Sequence, residues 1–206
     1  MKKLFALVLA LTCLLTVPAL ATEAQNESVI TPSRTVKTVT VINDPVIVVV
    51  EPKEADIAEL EALNEFVTTQ SAPIVTYFPE TVQTEIAAAL PEGKDVSAIK
   101  VDEYIPLAAT QPVSGQVDLR LSTAVKYNAE DALVVMFGVL NPTTGRMEWH
   151  VAAYTIDPET GELIITLSDE FVGVLSDSSL STALMILSDR EPEPAPEVEA
   201  TPDTAQ

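Results

Sequence analysis

Cysteine and histidine are almost missing from this sequence: 206 residues contain one of each, Cys13 and His150. Thiolate and imidazole are the ligands on which zinc, iron and copper sites rely, so no such metal is expected. A serine–histidine–acid triad would have to run through His150, and no Gly-x-Ser-x-Gly elbow accompanies it. Glycine is scarce as well. The six glycines are isolated and give no phosphate-cradling loop. Basic side chains number 11 against 31 acidic ones, a formal net charge of −20. A surface of that sign repels phosphate, which argues against nucleic acid and anionic lipid as partners. No catalytic, cofactor-binding or metal residue is expected, and no cofactor.

What is present begins with an export signal. Lys2 and Lys3 form a positive start, residues 4–17 form an apolar run, and Pro18 breaks it. Ala19-Leu20-Ala21 places small residues at the −3 and −1 positions of a signal peptidase site, so cleavage is expected between Ala21 and Thr22. The apolar run falls short of the roughly 20 residues that a bilayer core requires. No second run approaches that length, so no transmembrane segment is expected after cleavage. Cleavage removes Cys13, which closes off thiol chemistry and disulfides, and it removes two lysines from an already acidic chain. The expected location is secreted, extracellular or in the cell envelope.

Residues 22–34 are polar and aperiodic, and they read as a disordered leader. Residues 35–50 alternate with β-branched side chains and then run apolar, on either side of the turn signal Asn43-Asp44-Pro45. The period changes over 54–68, where Ile57, Leu60, Leu63 and Val67 fall at helical spacing and Glu59, Glu61 and Glu65 lie elsewhere on the helix. A second helix is expected over 79–90, with Pro79 in its first turn and Val82, Ile86, Ala89 and Leu90 as its apolar stripe. Pro91-Glu92-Gly93 stops it. Strands are expected at 96–105, 117–121, 132–140, 147–156, 163–167 and 182–187. A short helical turn at 168–175 has Ser168 as N-cap and Phe171, Val174 and Leu175 facing inward.

One turn design occurs twice, as Asn141-Pro142-Thr143-Thr144-Gly145 and Asp157-Pro158-Glu159-Thr160-Gly161. Asn or Asp opens the turn through its side chain, Pro presets φ, and Gly takes the left-handed φ that lets the next strand pair. Two hairpins in succession predict a three-strand meander. The fold class that follows is mainly β or α+β. It is an immunoglobulin-like antiparallel β-sandwich over 94–190, preceded by a short β segment and two helices at 35–93 packed on it; one continuous α+β domain is the alternative. Residues 191–206 form an acidic, proline-rich tail, expected to be extended and solvated.

Trp149 and His150 sit in mid-strand and alternate to opposite faces. Trp149 reads as a core or core-edge residue and is the candidate binding aromatic; His150 reads as structural or exposed. Asp157, Glu159 and Glu162 cluster at the second turn. They offer oxygens to calcium, but turn chemistry and solvation account for them.

Tyr77-Phe78-Pro79-Glu80, Leu90-Pro91-Glu92-Gly93 with Val101-Asp102-Glu103 after it, and residues 134–149 with their Asn-Pro-Thr-Thr-Gly turn carry a resemblance. Over 71–189 the chain resembles uncharacterised small exported β-sandwich (immunoglobulin-like) proteins of Gram-positive bacteria. The resemblance implies an exported β module and transfers no site. The expected function is a non-enzymatic extracellular or envelope-associated interaction or structural module, with a protein or cell-envelope component as partner. A carboxylate-based polysaccharide hydrolase and a small-ligand or inhibitor domain are the alternatives.

Overall fold

The computed structural model describes residues 30, 36–41, 47–123 and 126–190. The expected cleavage point at Ala21 and Thr22, the turn at 43–45 and the tail at 191–206 lie outside the described residues. The strands are β1 (Val36–Val41), β2 (Ile47–Val49), β3 (Lys100–Ala109), β4 (Val117–Thr123), β5 (Leu133–Asn141), β6 (Arg146–Ile156), β7 (Leu163–Leu167) and β8 (Thr182–Ser188). The helices are α1 (Glu54–Gln70), α2 (Glu80–Ala89) and α3 (Asp169–Leu175), with one 3-10 turn at Ile74–Tyr77.

Every strand pairing is antiparallel, and the eight strands form one sheet in the order β1-β4-β7-β6-β5-β8-β3-β2. The expected meander is there as β5-β6-β7. Two separate stacked sheets are not. The halves are joined through β6, whose residues 146–152 pair with β5 and whose residues 153–156 pair with β7. The end strands β1 and β2 come close to each other, so the sheet curls into an open half-barrel. Short strands punctuated by turns describe a sandwich and a curled sheet equally well; the shared eleven-residue strand is what decides.

The curl makes two cores. Leu133, Val135 and Phe137 of β5 face the concave side with Leu119, Leu121, Ile165, Leu184 and Ile186. Val172 and Leu175 of α3 close that core. Val134 and Met136 face the convex side with Tyr104, Trp149, Met185 and Leu187, beneath Leu60 and Leu63 of α1 and Ile86 of α2. Burial on both faces is why β5 and β8 are nearly continuous apolar runs.

The hairpin turns match at atomic level. Asn141 Oδ1 accepts the N–H groups of Thr143 and Thr144 at 2.8 and 3.2 Å; Asp157 Oδ1 accepts those of Glu159 and Thr160 at 2.9 and 3.2 Å. Gly145 and Gly161 both take φ 68°.

Three local expectations change. In α1 the buried face is Asp56, Glu59, Leu60 and Leu63, while Ile57 is exposed. β3 starts later than expected, because Asp95 accepts the Ser97 N–H and hydroxyl and folds 95–98 into a turn. In α3 Val172, not Val174, is buried beside Leu175, and the Ser168 side chain makes no capping bond.

Candidate functional site

The buried face of α1 carries two carboxylates at i and i+3. Asp56 and Glu59 are 1% and 4% exposed. A buried carboxylate is costly unless donors surround it, and here they do. Asp56 Oδ2 accepts the Lys53 N–H at 2.8 Å, closing the first turn of α1, and its Oδ1 accepts the Tyr104 hydroxyl at 3.1 Å. Glu59 Oε1 accepts the Tyr77 hydroxyl at 3.0 Å and the Trp149 indole N–H at 2.9 Å. The Arg146 guanidinium donates to the Tyr77 oxygen at 3.0 Å, so a relay runs from Arg146 through Tyr77 to Glu59. Burial, and next the Glu59 charge, push the Tyr77 hydroxyl up to about 12. Tyr77 therefore keeps its proton at neutral pH and donates it to Glu59. Burial also holds the Asp56 carboxyl above its ordinary 3.8, against the pull of the Lys53 N–H and the Tyr104 hydroxyl. Fixed donors make these two acids anchors that dock α1 onto the sheet.

Beside this layer lies a groove of about 570 Å³. One wall is Tyr77, Phe78, Pro79 and Val82, from the 3-10 turn and the start of α2. The other is residues 146–150 of β6. Phe78 is extended, and Pro79 is the N-cap residue from which α2 starts. Gly138, opposite Trp149 on β5, makes room for the indole: a Cβ there would lie 2.6 Å from a ring carbon. Tyr104 meets the same ring edge-on at 5.9 Å.

Trp149 is 5% exposed, a core residue whose edge reaches the groove. His150 is exposed on the opposite face, its ring 5.2 Å from that of Phe171. Both line the groove all the same, because the groove follows the edge of β6 rather than one of its faces. The Glu148 carboxylate there accepts the Asn141 amide at 2.6 Å, and Arg146 also stacks 5.7 Å from the centre of the Tyr77 ring.

The cluster at the second turn is organised around an arginine. Asp157 and Glu162 each accept from Arg120 at 2.9 Å. The Glu159 and Thr160 N–H groups, and then Arg120, hold the Asp157 carboxyl below its usual range; Arg120 does the same for Glu162. Glu159 is exposed and its carboxylate joins neither bond. Among the described residues no group of three or more His, Cys, Asp or Glu side chains is placed to hold a metal ion.

Sequence reasoning singled out Trp149 and missed Asp56, Glu59, Tyr77, Val82 and Arg146 as its surroundings. One signal was available: Asp56, Glu59, Leu60 and Leu63 fall at i, i+3, i+4 and i+7, a helical stripe that happens to contain two acids. Among the described residues no helix is long and apolar enough to cross a membrane. Comparison of the chain with known protein families, with curated proteins and with solved structures finds no match.

Proposed function

We propose that the protein is an exported, non-enzymatic binding module that takes its ligand in the groove between α2 and β6. The observation that carries this reading is the groove itself: an apolar and aromatic wall facing a strand edge that also carries the polar residues Arg146, Glu148 and His150. The signal-like start of the chain and its resemblance to exported β modules support an envelope or extracellular setting. The hydrolase alternative needs two carboxylates about 5–9.5 Å apart across a cleft. Glu148 is the one carboxylate lining this groove and is already engaged by Asn141, while Asp56 and Glu59 are held beneath it by fixed donors.

The test uses the chain from Thr22 onward against immobilised envelope glycans, peptidoglycan fragments and displayed random peptides. A ligand of the groove is retained by the wild type and lost by Val82→Arg, which thrusts a long cation from the α2 wall into the cavity. Release of reducing sugar, abolished by one Asp or Glu substitution, would overturn the reading.

A further inference from the structure

We infer that the groove takes an extended segment of another polypeptide, added as a strand along the open edge of β6; this rests on the groove being the binding site. The N-terminal half of β6 is paired on one side only. Residues 146–152 pair with β5, whereas β7 reaches residues 153–156 and stops. Alternation along β5 tells which backbone groups face outward. The Leu140 N–H bonds the Ser181 carbonyl, on the β8 side. Its neighbours Asn141 and Val139, and Phe137 beyond, therefore face β6, and the residues opposite them, Arg146, Glu148 and His150, face back toward β5. Met147, Trp149 and Val151 are left to direct N–H and C=O outward, one set every two residues. Among the described residues nothing bonds these outward groups. Donors and acceptors repeating at strand spacing, about 6.8 Å, match another polypeptide backbone and little else.

The groove lies along that edge. Its lining includes five consecutive β6 residues of both parities, as an edge-on concavity must, and the wall of Phe78, Pro79 and Val82 faces them. An added strand would send alternate side chains toward that wall, which selects apolar residues there. Arg146, at the end of the groove, takes part in no ion pair among the described residues, which favours an acidic side chain opposite it. A second copy of this chain is disfavoured because each copy carries a net charge of −20. The chain's own tail is disfavoured in either register: Pro192, Pro194 and Pro196 lack the N–H that a ladder needs, and turning them outward sends Glu191 and Glu193 toward the apolar wall.

The experiment selects peptides from a displayed random twelve-residue library on the chain from Thr22 onward, then measures Kd for one selected peptide and for versions N-methylated at single positions. N-methylation removes a backbone donor and leaves the side chain in place. Strand addition predicts that methylation at positions of one parity weakens binding about tenfold, while the other parity changes it little. Val82→Arg should also abolish binding, with Trp149 fluorescence confirming an intact fold. Indifference to methylation at both parities overturns strand addition but leaves groove binding standing. Failure to select any peptide overturns strand addition and leaves glycan binding in the groove standing, whereas retention of binding by Val82→Arg overturns both. A dimer in sedimentation that Val82→Arg dissociates identifies a second copy as the occupant and overturns the inference.

Discussion

The indole N–H of Trp149 donates to Glu59 across 90 positions of sequence, at 2.9 Å, in a site that excludes water. One carboxylate oxygen thereby ties α1 to β6, and through the Tyr77 hydroxyl it also ties down the turn that leads into α2. Both walls of the groove hang on this contact. The single tryptophan is also an internal fluorescent reporter of it.

Glu59→Ala leaves the buried Trp149 N–H and the half-buried Tyr77 hydroxyl without their acceptor. The expected loss is about 3 kcal/mol. Glu59→Gln keeps an oxygen at that position and should lose about 1 kcal/mol, the difference between a charged and a neutral acceptor. Urea unfolding followed by Trp149 emission separates the two. Equal losses would mean that Glu59 acts through packing rather than as an acceptor.

Gly138→Ala places a methyl within 2.6–2.8 Å of three Trp149 ring carbons. The ring must move, and overpacking of this kind costs about 1–3 kcal/mol. A shift in emission maximum together with a lower Tm is expected. Gly173→Ala is the contrast: it lies in α3 with nothing within 4 Å of the new methyl. It should raise stability by about 0.5–1 kcal/mol and leave the emission unchanged. Matching behaviour of the two variants would contradict the packing assigned to Gly138.

Much of this architecture was legible in the residues. The repeated Asn/Asp-Pro-x-Thr-Gly turns announced β5-β6-β7, and the end of α2 followed from Pro91-Glu92-Gly93. The curl did not, because pairing partners of β1, β2 and β8 are far apart in sequence and no local pattern encodes them. The groove was hidden for a related reason. Apolar periodicity in 54–68 picks out Ile57, which is exposed, since it counts Asp56 and Glu59 as solvated; only the donors from Tyr104, Tyr77 and Trp149 make those acids buriable. Trp149 was found because it is unique, and its partners were not because each is a common residue type.

The two hairpin glycines carry the same φ and should not tolerate alanine equally. Left-handed backbone costs a non-glycine residue about 1–2 kcal/mol, and Gly145→Ala should lose about that much, since open space surrounds it. Gly161 sits 3.1–3.3 Å, at the position of a new Cβ, from Lys126 and the Tyr127 carbonyl. Its N–H bonds the Asp157 carbonyl, and its own carbonyl accepts the Tyr127 N–H. Gly161→Ala should therefore unfold at clearly lower denaturant than Gly145→Ala. The reverse order would mean that the 126–127 segment yields without cost.

Acid should act on this protein with two opposed signs. Burial raises the Asp56 carboxyl above its ordinary 3.8 in the fold, so the folded state prefers it protonated. At neutral pH its ionised form subtracts from stability, and that cost is relieved as pH falls through the raised value. Glu162 is held below its ordinary 4.5 by Arg120, so the stability it contributes is present above 4.5 and is lost as pH falls from there toward its lowered value. Stability of the wild type measured against Asp56→Asn should shift in favour of the wild type on going from neutral pH to about pH 4. Measured against Glu162→Gln, it should shift the other way as pH drops below about 4.5. The isosteric amides keep the shape and do not titrate; a hydrogen bond lost with the replaced oxygen is an offset independent of pH, so the slopes report protonation rather than packing. Slopes of the same sign would place both carboxylates in similar surroundings and contradict the burial of Asp56 on the inner face of α1.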